Sequence, residues 1–172
     1  MTSRPNLVIQ PLNSEHDRPA FNCGNDALNR YIQKQAKQDI RRRVSKVFVA
    51  TETEHPASIL GYYTLSSLSI ELSLLPAEVA RKLPRHPIPA ALLGRLAVSQ
   101  TAQGQGVGRM LLVDALKRTL AVSDDIAIYA MVVDAIDQNA QRFYEQFGFV
   151  PLESQDRRLF LPLKSSLEPL PH

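Results

Sequence analysis

Between residues 91 and 121 an apolar run, a glycine-rich turn and an amphipathic stretch follow one another directly, and this succession constrains the fold most. Ala91 to Val98 is apolar apart from Gly94 and Arg95 and reads as a strand. The turn is Gln103-Gly104-Gln105-Gly106-Val107-Gly108-Arg109, and a helix is expected from about Gly106 to Ala121 on Val107, Met110, Leu111, Ala115 and Leu116. Glycines in such a turn can take positive φ and let a ligand approach the backbone. Successive N–H groups at the positive end of a helix dipole suit a pyrophosphate. A tight turn without a ligand is the other reading that a glycine pair leaves open. The dinucleotide fingerprint G-x-G-x-x-G is excluded, because Gly104, Gly106 and Gly108 have the wrong spacing and position 109 is arginine. A phosphate loop ending in Lys-Ser/Thr is excluded as well.

The rest of the chain supplies strands and helices around this unit. Leu7-Val8-Ile9 predicts a first strand closed by Pro11. Asn25 or Asp26 can cap a helix with apolar positions Leu28, Tyr31, Ile32, Ala36 and Ile40. Val44–Thr53 and Ile59–Leu68 are rich in β-branched and aromatic residues and predict two strands, with His55-Pro56 in the turn between them. Pro76 suits the first turn of a short helix to about Leu83, and Pro84, Pro87 and Pro89 then predict an extended loop. Ile126–Val133 reads as a strand buried on both faces. Asp137 can cap a helix ending near Gly148, and Leu159–Leu163 predicts a last strand. No repeat or linker divides the chain, so one mixed α/β domain over residues 1–164 is expected, with a loose tail at 165–172.

Composition excludes several classes of function. Cys23 is the sole cysteine and His16, His55, His86 and His172 are scattered, so no metal cluster is expected. No stretch approaches the ~20 apolar residues that cross a bilayer, and no secretory signal opens the chain, so a cytoplasmic protein without membrane attachment is expected. The formal charge of +3 is mild but unevenly placed. Arg30, Lys34, Lys37, Arg41, Arg42, Arg43 and Lys46 crowd one segment, relieved only by Asp39. Such a face suits a phosphate backbone, and it is also what a solvated helix face looks like.

Gln103-x-x-Gly106-x-Gly108 resembles the Arg/Gln-x-x-Gly-x-Gly/Ala pyrophosphate motif of the GNAT acetyltransferase superfamily. Leu93-Gly94-Arg95-Leu96-Ala97-Val98 before it and Asn139-Ala140-Gln141-Arg142-Phe143-Tyr144-Glu145-Gln146-Phe147-Gly148-Phe149 after it are similar too. The resemblance implies a GNAT fold of the α/β (α+β) class, with a mixed, mostly antiparallel twisted sheet flanked by helices and splayed at the acetyl-coenzyme A site. It implies that Leu96, Ala97 and Val98 line the pantetheine arm. It also implies that Gln103, Gly104, Gln105, Gly106, Val107, Gly108 and Arg109 hold the pyrophosphate, and that Asn139 contacts the cofactor further along. Many relatives have a basic residue at the position of Gln105, and Arg109 is a substitute for that charge.

Tyr144 is the residue expected to carry catalysis. Attack of an amine on a thioester expels a thiolate, and a phenol with a pKa near ~10 is a fitting proton donor to it. The periodicity of Ala140, Phe143, Tyr144 and Phe147 equally fits a core stripe, and the resemblance favours the acid. Glu52, Glu54, Asp134 and Glu145 are candidate bases by type, none singled out by placement. Arg95, a charge in an apolar strand, either pairs with a carboxylate such as Asp134 or faces the substrate. An α-amino group, with a pKa of ~7.7–8.0, is partly deprotonated without help.

Further segments resemble one branch, the GNAT toxins of bacterial toxin–antitoxin pairs. They are Phe21-Asn22-Cys23-Gly24-Asn25, Asp39-Ile40-Arg41-Arg42-Arg43, Gly61-Tyr62-Tyr63-Thr64-Leu65, Pro87-Ile88-Pro89-Ala90, Leu111-Leu112-Val113-Asp114-Ala115-Leu116 and Arg157-Arg158-Leu159-Phe160-Leu161-Pro162. This branch implies acetylation of the α-amino group of aminoacyl-tRNA, which blocks translation, and neutralisation by a ribbon–helix–helix antitoxin. A homodimer is compatible with it. Arg95 and the basic cluster would then contact tRNA. A GNAT enzyme for a small amine or a protein N-terminus, and a catalytically silent GNAT binding module, are the alternatives.

Overall fold

The computed structural model describes residues 6–85, 87–153 and 157–163. The strands are β1 (Leu7–Pro11), β2 (Lys46–Glu52), β3 (Gly61–Ile70), β4 (Ile88–Val98), β5 (Ala130–Asp134), β6 (Val150–Pro151) and β7 (Arg158–Pro162). The helices are α1 (Asp26–Arg30), α2 (Ala36–Arg41), α3 (Ala77–Ala80), α4 (Val107–Val122) and α5 (Gln138–Glu145). The strands hydrogen-bond in one seven-stranded sheet, in the order β1-β2-β3-β4-β5-β7-β6. β1–β2, β2–β3, β5–β7 and β6–β7 are antiparallel, while β4–β5 is parallel. That is the mixed sheet expected. The chain divides into two compact units, residues 1–66 with 95–115 and residues 67–94 with 116–172. The tail expected to be loose lies outside the described residues.

In the first unit a core forms between the N-terminal helical segment and β2 and β3, from Phe21, Leu28, Tyr31, Ile32, Ala36, Val47, Val49, Ile59, Tyr62 and Ala97. Tyr62 organises it. Its ring meets Phe21 edge-on at 5.4 Å and stacks on Tyr31 at 6.2 Å, and its hydroxyl donates to the Leu28 carbonyl at 2.7 Å. Asn25 caps α1 as expected, its side chain accepting from Leu28 N–H at 3.0 Å. The expected continuous helix is broken by a π turn over Tyr31–Gln35, marked by the i→i+5 bond from Ala36 N–H to the Tyr31 carbonyl. That wider turn keeps Tyr31, Ile32 and Ala36 all buried. Gly61 permits a close approach: a Cβ there would lie 2.8 Å from the Ala97 carbonyl oxygen and 2.9 Å from Leu111 Cδ1.

In the second unit Ile70, Leu75, Ile88, Ala90, Ala130, Val132, Leu152 and Phe160 form a separate core. β4 begins at Ile88 and so takes in Pro89, which its sequence context assigns to a loop. Strand β5 begins only at Ala130. Ile126, expected within it, is among the most exposed large apolar side chains, because α4 and its C-terminal turn end just before it. The short edge strand β6 carried no sequence signal, being a proline-containing pair against β7. Asp137 caps α5 through Ala140 N–H at 2.8 Å, and Gly148 follows the helix at φ +95°.

Candidate active site

Parallel pairing of β4 with β5 runs from Ala90↔Ala130 to Leu93↔Val133 and stops, while β4 continues to Val98. The backbone of Leu96 to Val98 is therefore beyond the reach of that ladder, as expected for a splayed strand. Ala97 is buried, with Leu96 and Val98 half-buried. The turn that follows is held from within. Gln103 donates through Nε2 to the Val98 carbonyl at 3.0 Å and to the Cys23 carbonyl at 3.1 Å, which ties the end of β4 to the segment before α1. With its amide so engaged, what Gln103 can offer a phosphate is its main chain. Gln105 makes a longer contact to the Thr101 carbonyl at 3.4 Å.

Gly104 and Gly106 have φ of +81° and +82°, and a Cβ at either would meet nothing within 4 Å. Packing thus leaves the space above this turn open, and only backbone conformation requires glycine. Both glycines are exposed, and α4 begins at Val107 with first-turn N–H groups that no helical carbonyl can reach. An exposed turn with open space over positive-φ glycines at a helix start fits a pyrophosphate well. Arg109 lies exposed in the same first turn.

Arg30, Lys34, Lys37, Arg41, Arg42, Arg43 and Lys46 are all exposed. Arg43 itself ends the helical segment at φ +63°. Asp39, the one acid in this run, does not neutralise them. Its carboxylate accepts from the Tyr31 hydroxyl at 2.9 Å and from Gln35 Nε2 at 3.1 Å. Burial, helped by Asp39, pushes the Tyr31 phenol up to about 12. Arg95 does not pair with Asp134. Its guanidinium lies over the Tyr31 ring, 3.6 Å from the centroid, because a half-buried planar cation finds an aromatic face here. That guanidinium makes no hydrogen bond among the described residues, which leaves donors at its edge.

The buried tyrosines separate by what their hydroxyls do. Tyr31 donates to Asp39, Tyr62 to the Leu28 carbonyl, and Tyr63 to Asp114 at 2.6 Å. Tyr144 is only 3% exposed, packed edge-on against Phe143 at 5.3 Å and Phe149 at 5.7 Å, yet its hydroxyl takes no partner among the described residues. The fully buried side-chain polar atom without a partner among the described residues is Thr119 Oγ1, not the Tyr144 hydroxyl, whose oxygen therefore still reaches the surface and can meet a ligand. Burial, and secondarily the charge of Asp134, push the Tyr144 phenol well above its ordinary value. It therefore holds its proton at neutral pH and is available as a donor rather than as a base. Asn139 is exposed in the first turn of the same helix.

No base emerges. Asp134 is engaged by Arg158, Glu54 and Glu145 are exposed, and Glu52 is half-buried at the end of β2. Two features escaped sequence reasoning: Tyr31 as the platform for Arg95, and the Asp134–Arg158 pair. The sole local signal for either was a charge embedded in an apolar strand, and such a signal names no partner.

Comparison with known proteins accords with this geometry. The family model "Acetyltransferase (GNAT) domain" matches residues 43–151. The chain is 32% identical, over 94% of each chain, to a probable toxin TacT of Sinorhizobium fredii (strain NBRC 101917 / NGR234). It is 33% identical, over 87% of its own length and 88% of the relative's, to the tRNA-acetylating toxin of Mycobacterium tuberculosis (strain ATCC 25618 / H37Rv). Among solved structures it is similar to AtaT complexed with acetyl-methionyl-tRNAfMet, with a TM-score of 0.87 and 31% identity over 94% of this chain and 98% of that one. It is also similar to a tyrosine-to-phenylalanine mutant of AtaT bound to acetyl-CoA and the C-terminus of the antitoxin AtaR. There the TM-score is 0.79 and the identity 29%, over 93% and 95% of the two chains. With a matching family model over most of its length and two such relatives, the chain is a member of the GNAT acetyltransferase family.

Proposed function

We propose that this acetyltransferase moves the acetyl group of acetyl-CoA to the α-amino group of an aminoacyl-tRNA and acts as the toxin of a toxin–antitoxin pair. The exposed basic face from Arg30 to Lys46, with its one acid turned inward to Tyr31, is the observation that carries the choice of substrate. A small amine would gain nothing from it, whereas a polyanion releases counterions along it. Arg95 presents further donors to the same RNA. The relatives and neighbours named above, which act on tRNA or bind acetyl-tRNA and an antitoxin, support the reading. A ribbon–helix–helix antitoxin and a homodimer complete the assembly we propose.

In this reading Leu96 to Val98 and the turn from Gln103 to Arg109 hold the arm and pyrophosphate of acetyl-CoA, and Asn139 contacts it further along. Acetyl-CoA supplies the thioester. The free α-amine forms the new C–N bond as the C–S bond breaks, and Tyr144 hands its phenolic proton to the departing sulfur. The proton lost from the acylated nitrogen restores the phenol. With an amine pKa of ~7.7–8.0, enough free base is present near neutrality for the reaction to proceed without a carboxylate.

The test is incubation with labelled acetyl-CoA and a pool of charged tRNAs, followed by identification of the labelled species. Label on the aminoacyl moiety of one or a few tRNAs is expected. Label on polyamines or protein N-termini with none on tRNA would overturn the substrate assignment.

A further inference from the structure

Nothing packs over Gly104 and Gly106, so the shape of the glycine turn depends on what holds its N-terminal end. That end is gripped by a loop from far upstream. The Asn22 carbonyl accepts from Gln100 N–H at 2.9 Å, and the Cys23 carbonyl accepts from Gln103 Nε2 at 3.1 Å. The same Gln103 amide reaches the Val98 carbonyl at 3.0 Å. Gly24, at φ +89°, brings the loop backbone against the Gln100 side chain, and a Cβ there would lie 2.9 Å from Gln100 Nε2. The loop is fixed in turn by one half-buried side chain of α1. Asn29 accepts from Cys23 N–H through Oδ1 at 2.8 Å and donates through Nδ2 to Asn22 Oδ1 at 3.0 Å. Asn22 Oδ1 also accepts from Gly24 N–H at 2.9 Å. A carboxamide supplies an acceptor and a donor side by side, and both are used here.

We propose that the loop at residues 22–24 is a clasp for the acetyl-CoA turn, and that Asn29, whose side chain bonds to the loop rather than to the turn, is a positioning residue for pyrophosphate binding. The inference rests on the reading of residues 103–109 as the pyrophosphate site. A glycine-rich turn has many conformations open to it, and only some aim successive N–H groups at one anion. Conformational freedom given up on binding lowers affinity, and freedom removed beforehand does not. Residues 103–106 are all exposed, so packing of their own side chains cannot impose that order. Carbonyls of the distant loop impose it instead, and Asn29 holds those carbonyls in place.

The experiment compares Asn29→Leu, Gln103→Met and the double variant with the parent. Acetyl-CoA affinity is measured by calorimetry, and transfer to charged tRNA is followed from acetyl-CoA and from S-acetylpantetheine, which lacks the pyrophosphate. Each single variant should raise the Kd for acetyl-CoA about five- to thirtyfold, the equilibrium equivalent of ordering one backbone residue on binding. The double variant should be little weaker than the weaker single, because both changes remove the same constraint. In Asn29→Leu, kcat at saturating acetyl-CoA and transfer from S-acetylpantetheine should stay at the parental level. Equal loss of transfer from both donors would make Asn29 a structural residue only and overturn the proposal. Parental acetyl-CoA affinity in folded Asn29→Leu, or losses that simply add in the double variant, would overturn it too. If Asn29→Leu does not fold, Asn29→Asp takes its place under the same outcomes, since it keeps the acceptor for Cys23 N–H and sets an oxygen against Asn22 Oδ1. Failure of both to fold makes Asn29 a structural tie only, again overturning the proposal. Parental acetyl-CoA affinity in Gly106→Val would instead sink the reading of the turn on which this rests.

Discussion

The turn at residues 103–109 and the aromatic end of α5 are opposites in exposure and in chemistry. In the turn Gln103, Gln105 and Arg109 are exposed, Gly104 and Gly106 sit at positive φ with open space above them, and the groups we propose to meet the ligand are backbone N–H. At α5 Tyr144 is packed against Phe143 and Phe149, and its hydroxyl has no partner among the described residues. Binding an anion needs donors that are already oriented, and a backbone turn provides them without side-chain entropy. Donating a proton needs one group with a controlled pKa, and control requires burial. A variant should therefore damage either affinity or turnover, according to the region it touches.

The largest separation is expected from Tyr144→Phe. The ring keeps its packing while the proton donor disappears, so acetyl transfer should fall by about 10²–10⁴-fold, with acetyl-CoA affinity nearly intact. Single-turnover kinetics beside calorimetric binding would check this, and full activity would return Tyr144 to a purely structural role. Replacing Arg41, Arg42 and Arg43 together by alanine should weaken tRNA binding broadly. It should also flatten the salt slope by about one unit for each phosphate that is no longer neutralised. Acetyl-CoA binding should be spared and growth inhibition on expression abolished. Unchanged tRNA affinity and salt response would make the basic face merely solvated.

Gly106→Val tests the other side of the comparison. Its Cβ would meet no protein atom, so the folded turn loses only what positive φ costs, about 1–2 kcal/mol for a residue with a Cβ. The new side chain would instead occupy the space where we propose that the pyrophosphate lies. Acetyl-CoA affinity should drop about tenfold or more while kcat at saturation changes little, and unaltered affinity would remove the turn from the cofactor site.

The smallest effect lies away from both regions. Burial lowers the pKa of His16, against the opposing influence of the Glu15 charge. The unfolded chain then binds this proton more readily than the folded one. The stabilisation is present above about 6.5 and is lost as pH falls through that value towards the lower folded one. The urea midpoint should decline modestly from pH 7.5 to 5.5, and His16→Gln should flatten the decline. Identical slopes in the two proteins would remove His16 as its source.

The glycine turn was legible because its determinants are local. Glycine spacing, a helix start and a preceding apolar strand lie within a few residues of one another, and so do the caps at Asn25 and Asp137. The helix periodicities were legible for the same reason. Elements that depend on neighbours were misjudged: Pro89 enters β4, and the apolar Ile126 stays outside β5 and faces solvent. The π turn at Tyr31–Gln35 changes the helix phase to suit the packing of Tyr31, Ile32 and Ala36, and an apolar pattern read at 3.6 residues per turn does not register it.

By itself the sequence determined the order of elements, the glycine turn before α4, the basic character of residues 30–46 and the presence of a tyrosine on the α5 stripe. Only tertiary structure decided which charges remain available and which tyrosine hydroxyl is left without a partner among the described residues. Asp39 is withdrawn from the basic face by Tyr31, Arg95 lies on an aromatic ring instead of on Asp134, and Asp134 belongs to Arg158. Tyr31, Tyr62 and Tyr63 are anchored while Tyr144 is not. The reason is physical. Backbone conformation and helix periodicity are set by adjacent residues, but pairing and desolvation are set by whatever the fold brings within a few ångströms, from positions far apart in the chain.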